Sequence, residues 1–575
     1  MAKEWIIAPP WPARQEAAAR FGTSPLVAQL LHNRGIDEPD AARRFLRPQL
    51  TDLHPPEQMP GATQAADLLA DALRDNHRII IYGDYDVDGI TATAILWHTL
   101  KRLGADVDFY VPHRLEEGYG LNADAVAKLA ADGAQTIVSV DCGITAVEVA
   151  QLARQRNVRL IITDHHSPGA VLPEADAIVH PAIGEGNPNT DSCGAGVAFK
   201  LAWALAQRVC GAERVSPELR EVLVEGVGLV ALGTIADVVP LLGENRIFAR
   251  HGLAGLAASK LPGVRALIEH AKLNETKLDS FHVGFVLAPR LNAAGRMGHA
   301  RLAVELLTRA TPERAREIAI YLDSQNRNRQ TLERRITKQA CEMVTAAGMD
   351  RDGCRGIVLA HEEWHAGVIG IVASRLVDRF GCPTVLIAME NGFGQGSGRS
   401  VEHFNLFEAL CNCREHLDTF GGHAMAAGLR IAAGRVDAFA EAFVARANQT
   451  LTAADLRPTL PLDAEATLAE LTEPLVQALL DLGPFGFGNP TLRLATGWCE
   501  LIGSPRKVGR DGDHLQFTVR QDGCVRKAIA FRQANAAQPL LDARRCRLAF
   551  EPILNEFNGR RSVELQVLDI QFPID

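Results

Sequence analysis

Residues 78–89 read Arg78-Ile-Ile-Ile-Tyr-Gly-Asp84-Tyr-Asp86-Val-Asp88-Gly89, and this stretch decides the fold class. Its apolar start predicts a buried strand, and residues 90–103 predict the helix that follows. The three carboxylates are two residues apart, so they are predicted to project to one side where the strand ends. Like charges this close repel one another unless a cation stabilises them. The stretch therefore predicts a metal site between a strand and a helix, with an acidic turn or a calcium-like loop as the alternative.

The surrounding residues, 61–265, alternate between apolar runs and helical patterns. The predicted strands are residues 78–82, 107–111, 136–140, 159–163 and 177–180. Strands separated by helices of this length imply a mostly parallel sheet that is covered on both faces. In such sheets ligands bind just beyond the carboxyl ends of the strands.

The flanking regions have different patterns, which predict a multidomain α/β chain. Residues 1–60 are rich in Pro and Arg and predict an N-terminal arm with short helices. Residues 266–347 predict a helical connector that ends in a long polar helix, and residues 348–450 predict a second α/β domain. Short alternating strands with Gly and charged turns over residues 455–575 predict a small C-terminal β-barrel.

Three further segments place possible metal ligands after apolar runs: Asp141 in VSVDCG, the Asp164-His165-His166 triplet, and Asp237 in ALGTIADVVP. Taken singly they are weak, because Asp-x-Gly is common turn chemistry and a His pair is as often structural as functional. A lone carboxylate in an apolar run is nevertheless costly unless it is paired or bound to a metal. The Asp of the triplet can orient an imidazole ring from behind it.

Together these segments supply at least four carboxylates and two imidazoles, mostly at strand ends of one sheet. Such a set suits two divalent ions about 3.5–4 Å apart that share an Asp and activate water for attack on phosphorus. Mixed oxygen and imidazole ligands favour Mn²⁺, whereas all-oxygen sites suit Mg²⁺ or Ca²⁺. The pattern predicts metal-dependent phosphodiester hydrolysis.

Composition limits the location and the kind of nucleic-acid contact. The net charge of −9 argues against coating DNA by bulk electrostatics, although a narrow groove can be locally basic. Eleven cysteines without a CxxC pair predict free thiols in a reducing compartment. The N-terminus is a poor secretion signal and no apolar window is long enough for a membrane span, so a cytoplasmic protein without membrane contact is expected.

The ordered motifs GDYDVDG, VDCG, TDHH and GTIADVVPL resemble the DHH phosphoesterase superfamily. Over nearly its whole length the chain is similar to one family within it, the single-strand-specific 5′→3′ exonucleases called RecJ. Further segments that match RecJ-type motifs are residues 289–297, 364–375, 396–400, 420–428 and 555–559. The resemblance implies a DHH domain, a DHHA1 domain that closes over the substrate and a C-terminal OB-fold.

Carried over residue by residue, the resemblance implies that the metals are held by Asp86, Asp88, Asp141, His165 and Asp237. It makes Asp141 the bridging ligand and leaves Asp84 as either a direct ligand or a close supporter. In related phosphoesterases the second histidine of the pair faces the phosphate, so His166 is expected to stabilise the transition state. The cofactors expected are two divalent ions, with Mn²⁺ preferred and Mg²⁺ also possible.

The same resemblance predicts the residues that bind substrate. A pocket for the terminal phosphate is expected from Arg290, Arg296, Ser397 and Arg399, with backbone N–H groups of residues 396–398 close to the phosphate. His423 is expected along the DNA path, although its Gly-Gly-His context also fits a tight turn.

Two more groups of side chains are weaker candidates for DNA contact. Arg114 and Tyr119 are expected to flank the entrance as phosphate donor and stacking surface, although Tyr119 could simply pack its loop. In the barrel, Phe517, Phe531 or Phe557 could stack on bases, but core packing is the more common role for each. The basic residues of the long helix are usually a solvated face, though one side could line the groove.

The function implied by the resemblance is degradation of single-stranded DNA to nucleotides in recombination and repair, with single-strand-binding protein and a RecQ-type helicase as partners. The direction of cleavage rests on the resemblance alone. Two alternatives remain. One is a phosphoesterase of short oligonucleotides, cyclic dinucleotides or polyphosphate, which needs neither arm nor barrel. The other is a non-catalytic DNA-binding scaffold, which should have lost metal ligands.

Overall fold

A computed structural model of the 575-residue chain describes residues 3–113, 117, 120–296, 299–351, 353–557 and 559–573, without the side chain of Phe557. The chain divides into two compact units. The larger unit comprises Trp5–Ile320 and Pro461–Asp575, and the smaller unit comprises Met1–Glu4 and Tyr321–Leu460. Among the described residues, no helix has both the length and the hydrophobicity needed to cross a membrane.

The N-terminal segment forms short helices, as the sequence predicts, and one short strand that was not predicted. They are β1 (Glu4–Ile7), α1 (Arg14–Phe21), α2 (Pro25–His32), α3 (Pro39–Leu46) and α4 (Ala62–Arg74). The apolar faces of α2 and α3 do not project into solvent. Leu30, Leu31 and Phe45 belong to the same buried core as Leu515 and Phe550 of the C-terminal barrel.

The first α/β domain contains the predicted strands and helices. They are β2 (Arg78–Gly83), α5 (Val87–Arg102), β3 (Asp106–Tyr110), α6 (Ala123–Ala131), β4 (Thr136–Val140), α7 (Val147–Gln155), β5 (Arg159–Thr163) and β6 (Ala177–Val179). The strand order is β3-β2-β4-β5-β6, and every pairing is parallel. This confirms the predicted parallel sheet. Alternate strand residues such as Ile80, Ile137 and Ile162 pack with α6 and α7.

In the described part of the chain, seven α-helices follow this sheet, and the last of them is the predicted long polar helix. They are α8 (Gly194–Cys210), α9 (Pro217–Ala236), α10 (Gly243–Ala257), α11 (Pro262–His270), α12 (Ala288–Arg296), α13 (Ala300–Thr308) and α14 (Pro312–Ala346). A π-helical turn, His282–Leu287, leads directly into α12. The boundary between the two units falls within α14.

The smaller unit is a second α/β domain. Its elements are β7 (Ile357–His361), α15 (Ala366–Phe380), β8 (Thr384–Glu390), β9 (Phe393–Arg399), α16 (Leu406–Asn412), β10 (Thr419–Gly422), β11 (Ala426–Ala432) and α17 (Val436–Thr450). The sheet order is β10-β11-β9-β8-β7, with only β7 and β8 parallel. Leu359 and Leu386 pack with α14 and α15, whereas Val358 and Val385 pack with α17, so helices cover both faces.

The C-terminal region is a small barrel, as expected. Its elements are β12 (Thr459–Leu462), β13 (Ala464–Glu465), α18 (Glu473–Leu480), β14 (Leu494–Ala495), β15 (Cys499–Val508), β16 (His514–Gln521), β17 (Cys524–Ala530), α19 (Ala537–Ala543), β18 (Arg545–Phe557) and β19 (Arg560–Gln571). The order β18-β15-β16-β17-β19 closes through a β18–β19 pairing. A closed five-stranded barrel is the arrangement of an OB-fold.

The barrel is joined to the first α/β domain by buried polar contacts. Arg246 of α10 is 1% exposed and donates to the carbonyls of Phe45 and Gly483 at 2.8 and 3.0 Å. Its guanidinium lies 3.8 Å from the centre of the Phe45 ring. Nearby, the backbone N–H of Leu241 donates to the carbonyl of Phe487 at 2.8 Å. These contacts make arm, α/β domain and barrel parts of one folded unit.

Candidate metal centre

Three carboxylates lie where β2 passes into α5, and each has a different backbone environment. Asp84 directly follows the strand and is 2% exposed. Asp86 caps α5, because its Oδ1 accepts hydrogen bonds from the N–H groups of Asp88 and Gly89 at 2.9 and 3.2 Å. Asp88 lies in the first turn of the helix. The strand ends before Asp84, as predicted, but the expected period of two does not direct these side chains, because Asp86 and Asp88 belong to the start of the helix.

The position of Asp88 depends on the start of α8, which the sequence did not reveal. Its two carboxylate oxygens accept hydrogen bonds from the N–H groups of Gly194 and Ala195 at 2.6 and 2.8 Å. A Cβ atom at Gly194 would lie 2.7 Å from Oδ1 of Asp141, so only glycine fits this approach. The small residues of Cys193-Gly-Ala-Gly196 before an apolar run were the available indication in the sequence.

Asp141 follows β4 directly, as predicted, and is 1% exposed. Its φ of +61° is in the left-handed region, which non-glycine residues adopt rarely. The backbone N–H of Asp141 donates to the carbonyl of Thr163 at 2.9 Å, which holds this conformation against the end of β5.

The histidine pair follows β5 and faces Asp141. Nε2 of His165 lies 3.0 Å from Oδ1 of Asp141 and 3.7 Å from both Oδ2 of Asp88 and Oδ2 of Asp237. Nδ1 of His166 lies 2.8 Å from Oδ1 of Asp164. Burial lowers the pKa of the His165 imidazole, which favours the neutral ring that binds metals.

Asp164 orients the histidines. Its Oδ1 accepts from the backbone N–H groups of His165 and His166 at 2.7 and 3.1 Å, and its Oδ2 accepts from the N–H of Ile144 at 2.9 Å. Burial by itself raises the pKa of Asp164, but these hydrogen bonds and the nearby His166 outweigh burial and leave the pKa below its usual value. The same contact with Asp164 outweighs burial in raising the pKa of His166.

His180, at the end of β6, supports the pair from behind and was missed in the sequence. It is 1% exposed, and its Nδ1 accepts from the N–H of Ala182 at 3.1 Å. In the neutral ring Nε2 therefore carries the hydrogen, which it donates to the carbonyl of His166 at 2.8 Å. The imidazole fixes the backbone of the DHH triplet. A histidine ending the fifth predicted strand was the one indication of this role.

Asp237 reaches the centre from a helix. It is the C-cap of α9, and it is followed by Val238 with a φ of +62°. Because a carboxylate at a helix C-terminus is unfavourable next to the helix dipole, its position there requires a compensating partner. Burial, together with the charges of Asp88 and Asp86, raises the pKa of Asp237 to about 8.

The donor atoms form three overlapping groups that could hold metal ions. In each group all the ligand atoms lie within 4.8 Å of one another. The groups are Asp84, Asp86 and Asp141; Asp88, His165 and Asp237; and Asp141, His165 and His166. Burial raises the pKa of Asp141 far above its usual range, and the charges of Asp88, Asp86 and Asp84 raise it further. Burial and Asp88 likewise raise the pKa of Asp86. A carboxylate-rich set with one or two imidazoles fits divalent cations.

Helix α12 carries the predicted Arg290 and Arg296 and is fastened to the acidic loop. The Asn292 side chain accepts a hydrogen bond from the N–H of Val87 at 3.2 Å. A Cβ atom at Gly295 would lie 2.5 Å from the carbonyl oxygen of Tyr85, so the helix and loop are in direct contact. Arg290 and Arg296 are both half-buried.

The predicted residues of the smaller unit form a separate group. Ser397 and Arg399 lie on β9, where Nη1 of Arg399 donates to Oγ of Ser397 and to the carbonyl of Gly398 at 3.3 and 2.7 Å. A Cβ atom at Gly370, near the start of α15, would lie 2.8 Å from Oγ of Ser397 and 3.1 Å from Nη2 of Arg399. Burial lowers the pKa of Arg399.

The other residues predicted to contact DNA differ in exposure, and some lie outside the described residues. His423 is exposed in the turn between β10 and β11, where its N–H donates to the carbonyl of Ala426 at 2.8 Å. Arg114, Tyr119 and the Phe557 side chain lie outside the described residues. Phe517 is 3% exposed inside the barrel core and is unavailable for stacking, whereas Phe531 is half exposed and edge-on to the His514 ring.

Three family models match successive parts of the chain. The DHH family N-terminal domain matches residues 78–234, the DHHA1 domain matches residues 353–449, and the RecJ OB domain matches residues 462–569.

Curated proteins and solved structures agree with these matches. The single-stranded-DNA-specific exonuclease RecJ of Bacillus subtilis is 38% identical over 95% of this chain and 68% of its own length. The Escherichia coli protein of that name is 36% identical over 96% of each chain. A crystal structure of Thermus thermophilus RecJ in complex with Mn²⁺ superposes with a TM-score of 0.84 at 32% identity, covering 100% of this chain and 80% of that one. The same protein in complex with Mg²⁺ gives 0.78 at 31% identity, covering 100% and 79%.

Proposed function

Since the chain belongs to the RecJ family of single-stranded-DNA-specific exonucleases, we propose that it degrades single-stranded DNA to nucleotides from the 5′ end, in recombination and repair. The observation that carries the proposal is the complete donor set around Asp141 and His165. Burying mutually repelling carboxylates together is unfavourable unless a cation neutralises them. The complete set therefore favours a metal-dependent enzyme over a non-catalytic scaffold of the same fold.

The metal ligands in this proposal are Asp84, Asp86, Asp88, Asp141, His165 and Asp237. They would hold two divalent cations, preferably Mn²⁺ and alternatively Mg²⁺, with Asp141 shared between them. Divalent cations in such a site lower the pKa of the attacking water and neutralise charge at the phosphate. Asp141 and His165 each belong to two of the three groups, and of these two only the carboxylate has two oxygens that can bind two ions, which supports the sharing.

The side chains themselves orient and polarise the substrate. Asp164 holds Nδ1 of His166, which leaves Nε2 of that ring for the scissile phosphate. The His166 side chain is 41% exposed, compared with 14% for His165, as expected for a residue that meets substrate. Because contact with Asp164 keeps the pKa of His166 above its usual value, the ring can carry positive charge toward the developing negative charge.

Arginines of each unit are proposed as separate phosphate contacts. Arg290 and Arg296 lie on the helix that is fastened to the acidic loop, so they are candidates for phosphate contact beside the metals. In the smaller unit, Arg399 and Ser397 form a charged hydrogen-bonding group of the kind that binds a terminal phosphate. His423, Arg114 and Tyr119 complete the proposed DNA contacts.

The decisive experiment incubates the full chain with Mn²⁺ and end-labelled single- and double-stranded DNA of both polarities. We expect release of mononucleotides from the 5′ end of single strands and resistance of blunt duplexes. Release from 3′ ends would contradict the polarity, and an inert chain would point to a scaffold. Hydrolysis restricted to dinucleotides would favour a small-substrate phosphoesterase, although the closed barrel argues for a long substrate.

The partners we propose by family membership are single-strand-binding protein and a RecQ-type helicase, which would supply the unwound strand. We place the activity in the cytoplasm. All eleven cysteines are free thiols, which supports a reducing compartment. A pull-down from cell extract with DNA digested away tests whether either partner binds the protein directly.

A further inference from the structure

A cleft of about 690 Å³ lies between α14 and α15 in the smaller unit. Arg334 and Lys338 line it from α14, and Arg375 and Arg379 line it from α15. Among the described residues, Glu342 is the one acidic residue that lines it. The cleft is therefore locally basic in a chain whose net charge is −9.

The four cations are regularly spaced. On each helix the two basic residues are four positions apart, which puts their Cβ atoms about 5–6 Å apart on one face. This separation is similar to that of successive phosphates along an extended strand. Two facing pairs at such a spacing can follow a polyanion along the cleft.

Two of the four cations have no carboxylate partner among the described residues. Arg334 makes no ion pair there, and Arg379 contacts the Sγ atom of Cys341 at 3.3 Å. Lys338 lies 3.9 Å from Glu342, and Arg375 pairs with the buried Glu333. The cleft therefore keeps a net positive charge.

The rest of the lining argues against stacked bases and against an apolar peptide as the occupant. Apart from the charged residues, the lining consists of Thr337, Cys341, Thr345 and Ala346. In this described lining no aromatic ring can stack on a base. No large aliphatic side chain forms the apolar groove that anchors a bound peptide. A chain of phosphates held without contact to its bases fits this lining.

We propose that this cleft binds the phosphate backbone of a nucleic-acid strand, independently of its sequence, as a second DNA contact of the protein. The inference rests on the proposed function for its substrate class. It also assigns a role to basic residues of α14, for which the sequence left open a solvated face or a side that lines the groove.

The test measures binding of a labelled oligothymidylate to the full chain by fluorescence anisotropy in EDTA, over a range of salt concentrations. The variant Arg334→Ala/Lys338→Ala removes two exposed cations. We expect the slope of log affinity against log salt to become shallower by about 1.4, since each phosphate contact with a single strand contributes about 0.7. An oligocytidylate should give the same change.

The matched control is Arg414→Ala/Arg457→Ala, which removes two exposed cations of the same unit outside the cleft. Its slope should equal that of the unaltered protein, and an equal loss in both variants overturns the proposal. The pair Arg334→Gln/Lys338→Gln should reproduce the alanine result; thermal melts exclude misfolding.

Failure of this inference is distinguishable from failure of the proposed function. Hydrolysis of the same strand by the unaltered protein in Mn²⁺ tests the function alone, whereas the salt slope tests the cleft alone. If the alanine pair keeps the original slope but loses binding of a labelled peptide of Glu and Leu residues, the cleft binds a protein partner and the proposal is wrong.

Discussion

Nε2 of His165 lies 3.0 Å from Oδ1 of Asp141, although the two residues follow different strands of the parallel sheet. Adjacent parallel strands end at the same edge, and β4 and β5 are neighbours, so their first loop residues meet there. Asp141 also approaches the acidic loop after β2. The donor groups overlap through these two residues, since Asp141 and His165 each belong to two of the three groups.

Replacing Asp141 by alanine should abolish hydrolysis, because both proposed ions lose a shared ligand. The loss should exceed the roughly 10–100-fold effect of altering a residue that only orients a ligand. DNA binding in EDTA should persist. Asp132→Ala, at an exposed carboxylate, is the control. Near-normal turnover of Asp141→Ala would remove Asp141 from the metal site.

His180→Ala should reduce activity by about 10–100-fold, because the carbonyl of His166 loses its hydrogen-bond donor and the DHH backbone can move. His180→Asn keeps an N–H donor and should recover most of the activity. Mn²⁺ titration supplies a second readout, in which alanine raises the concentration needed for half-maximal rate. If alanine and asparagine behave alike, His180 only fills space.

Stability without metal should fall as the pH rises. Asp237 has a folded pKa of about 8 against an ordinary value of 3.8, so the folded chain binds more protons than the unfolded chain between these values. By linkage, the free energy of unfolding in EDTA then decreases from roughly pH 4 to 8. Asp237→Asn should flatten this dependence in denaturant melts. A melting temperature that rises with pH in EDTA would contradict the assignment.

With Mn²⁺ present, the free energy of unfolding should instead increase with pH. Metal ligands must be deprotonated to bind, so affinity should increase with pH over the same range and binding should release protons. Isothermal titration in buffers of different ionisation enthalpy counts the released protons. Proton release should decrease in Asp237→Asn, and its absence in the unaltered protein would show that the carboxylates are already ionised.

Arg399→Ala should weaken the preference for a 5′-phosphorylated end over a 5′-hydroxyl end. A charge-assisted hydrogen bond is worth about 1.5–3 kcal/mol, which corresponds to a rate ratio lower by roughly 10–150-fold. Arg430→Ala on the neighbouring strand β11 is the matched control. An unchanged preference in Arg399→Ala would place the terminal-phosphate contact elsewhere.

Gly295→Ala should impair the metal centre from outside it. The new Cβ would meet the carbonyl oxygen of Tyr85 at 2.5 Å, so the acidic loop or α12 must shift, at a cost of about 1–3 kcal/mol. Gly284→Ala, whose nearest neighbour would be 3.9 Å away, is the control and should be neutral. Equal melting temperatures and rates for the two variants would show that the contact yields without consequence.

The sequence by itself determined the fold class and the candidate ligands. Apolar runs separated by helical patterns give a parallel sheet because a strand and its crossover helix are local, and the carboxyl ends of such strands must share an edge. For that reason Asp141 and the His165-His166 pair could be expected together. The alternating strands after residue 455 likewise predicted a barrel.

Only the tertiary structure decided how the carboxylates are held. Asp88 accepts hydrogen bonds from Gly194 and Ala195, which are more than a hundred residues away, and Asp237 arrives from a helix end. Local periodicity carries no information about such pairings. The period of two that was expected to direct the three carboxylates does not apply, because Asp86 caps α5 and Asp88 lies in its first turn.

The arm and barrel show the same limit. Their patterns suggest separate modules, and removal of the barrel would then leave the nuclease domain folded. In the structure Arg246 and the buried apolar residues of α2 and α3 join them to one core. An apolar face predicts that a helix is buried, because removing apolar surface from water is favourable against any partner surface. Which distant surface buries it is decided by packing of the whole chain.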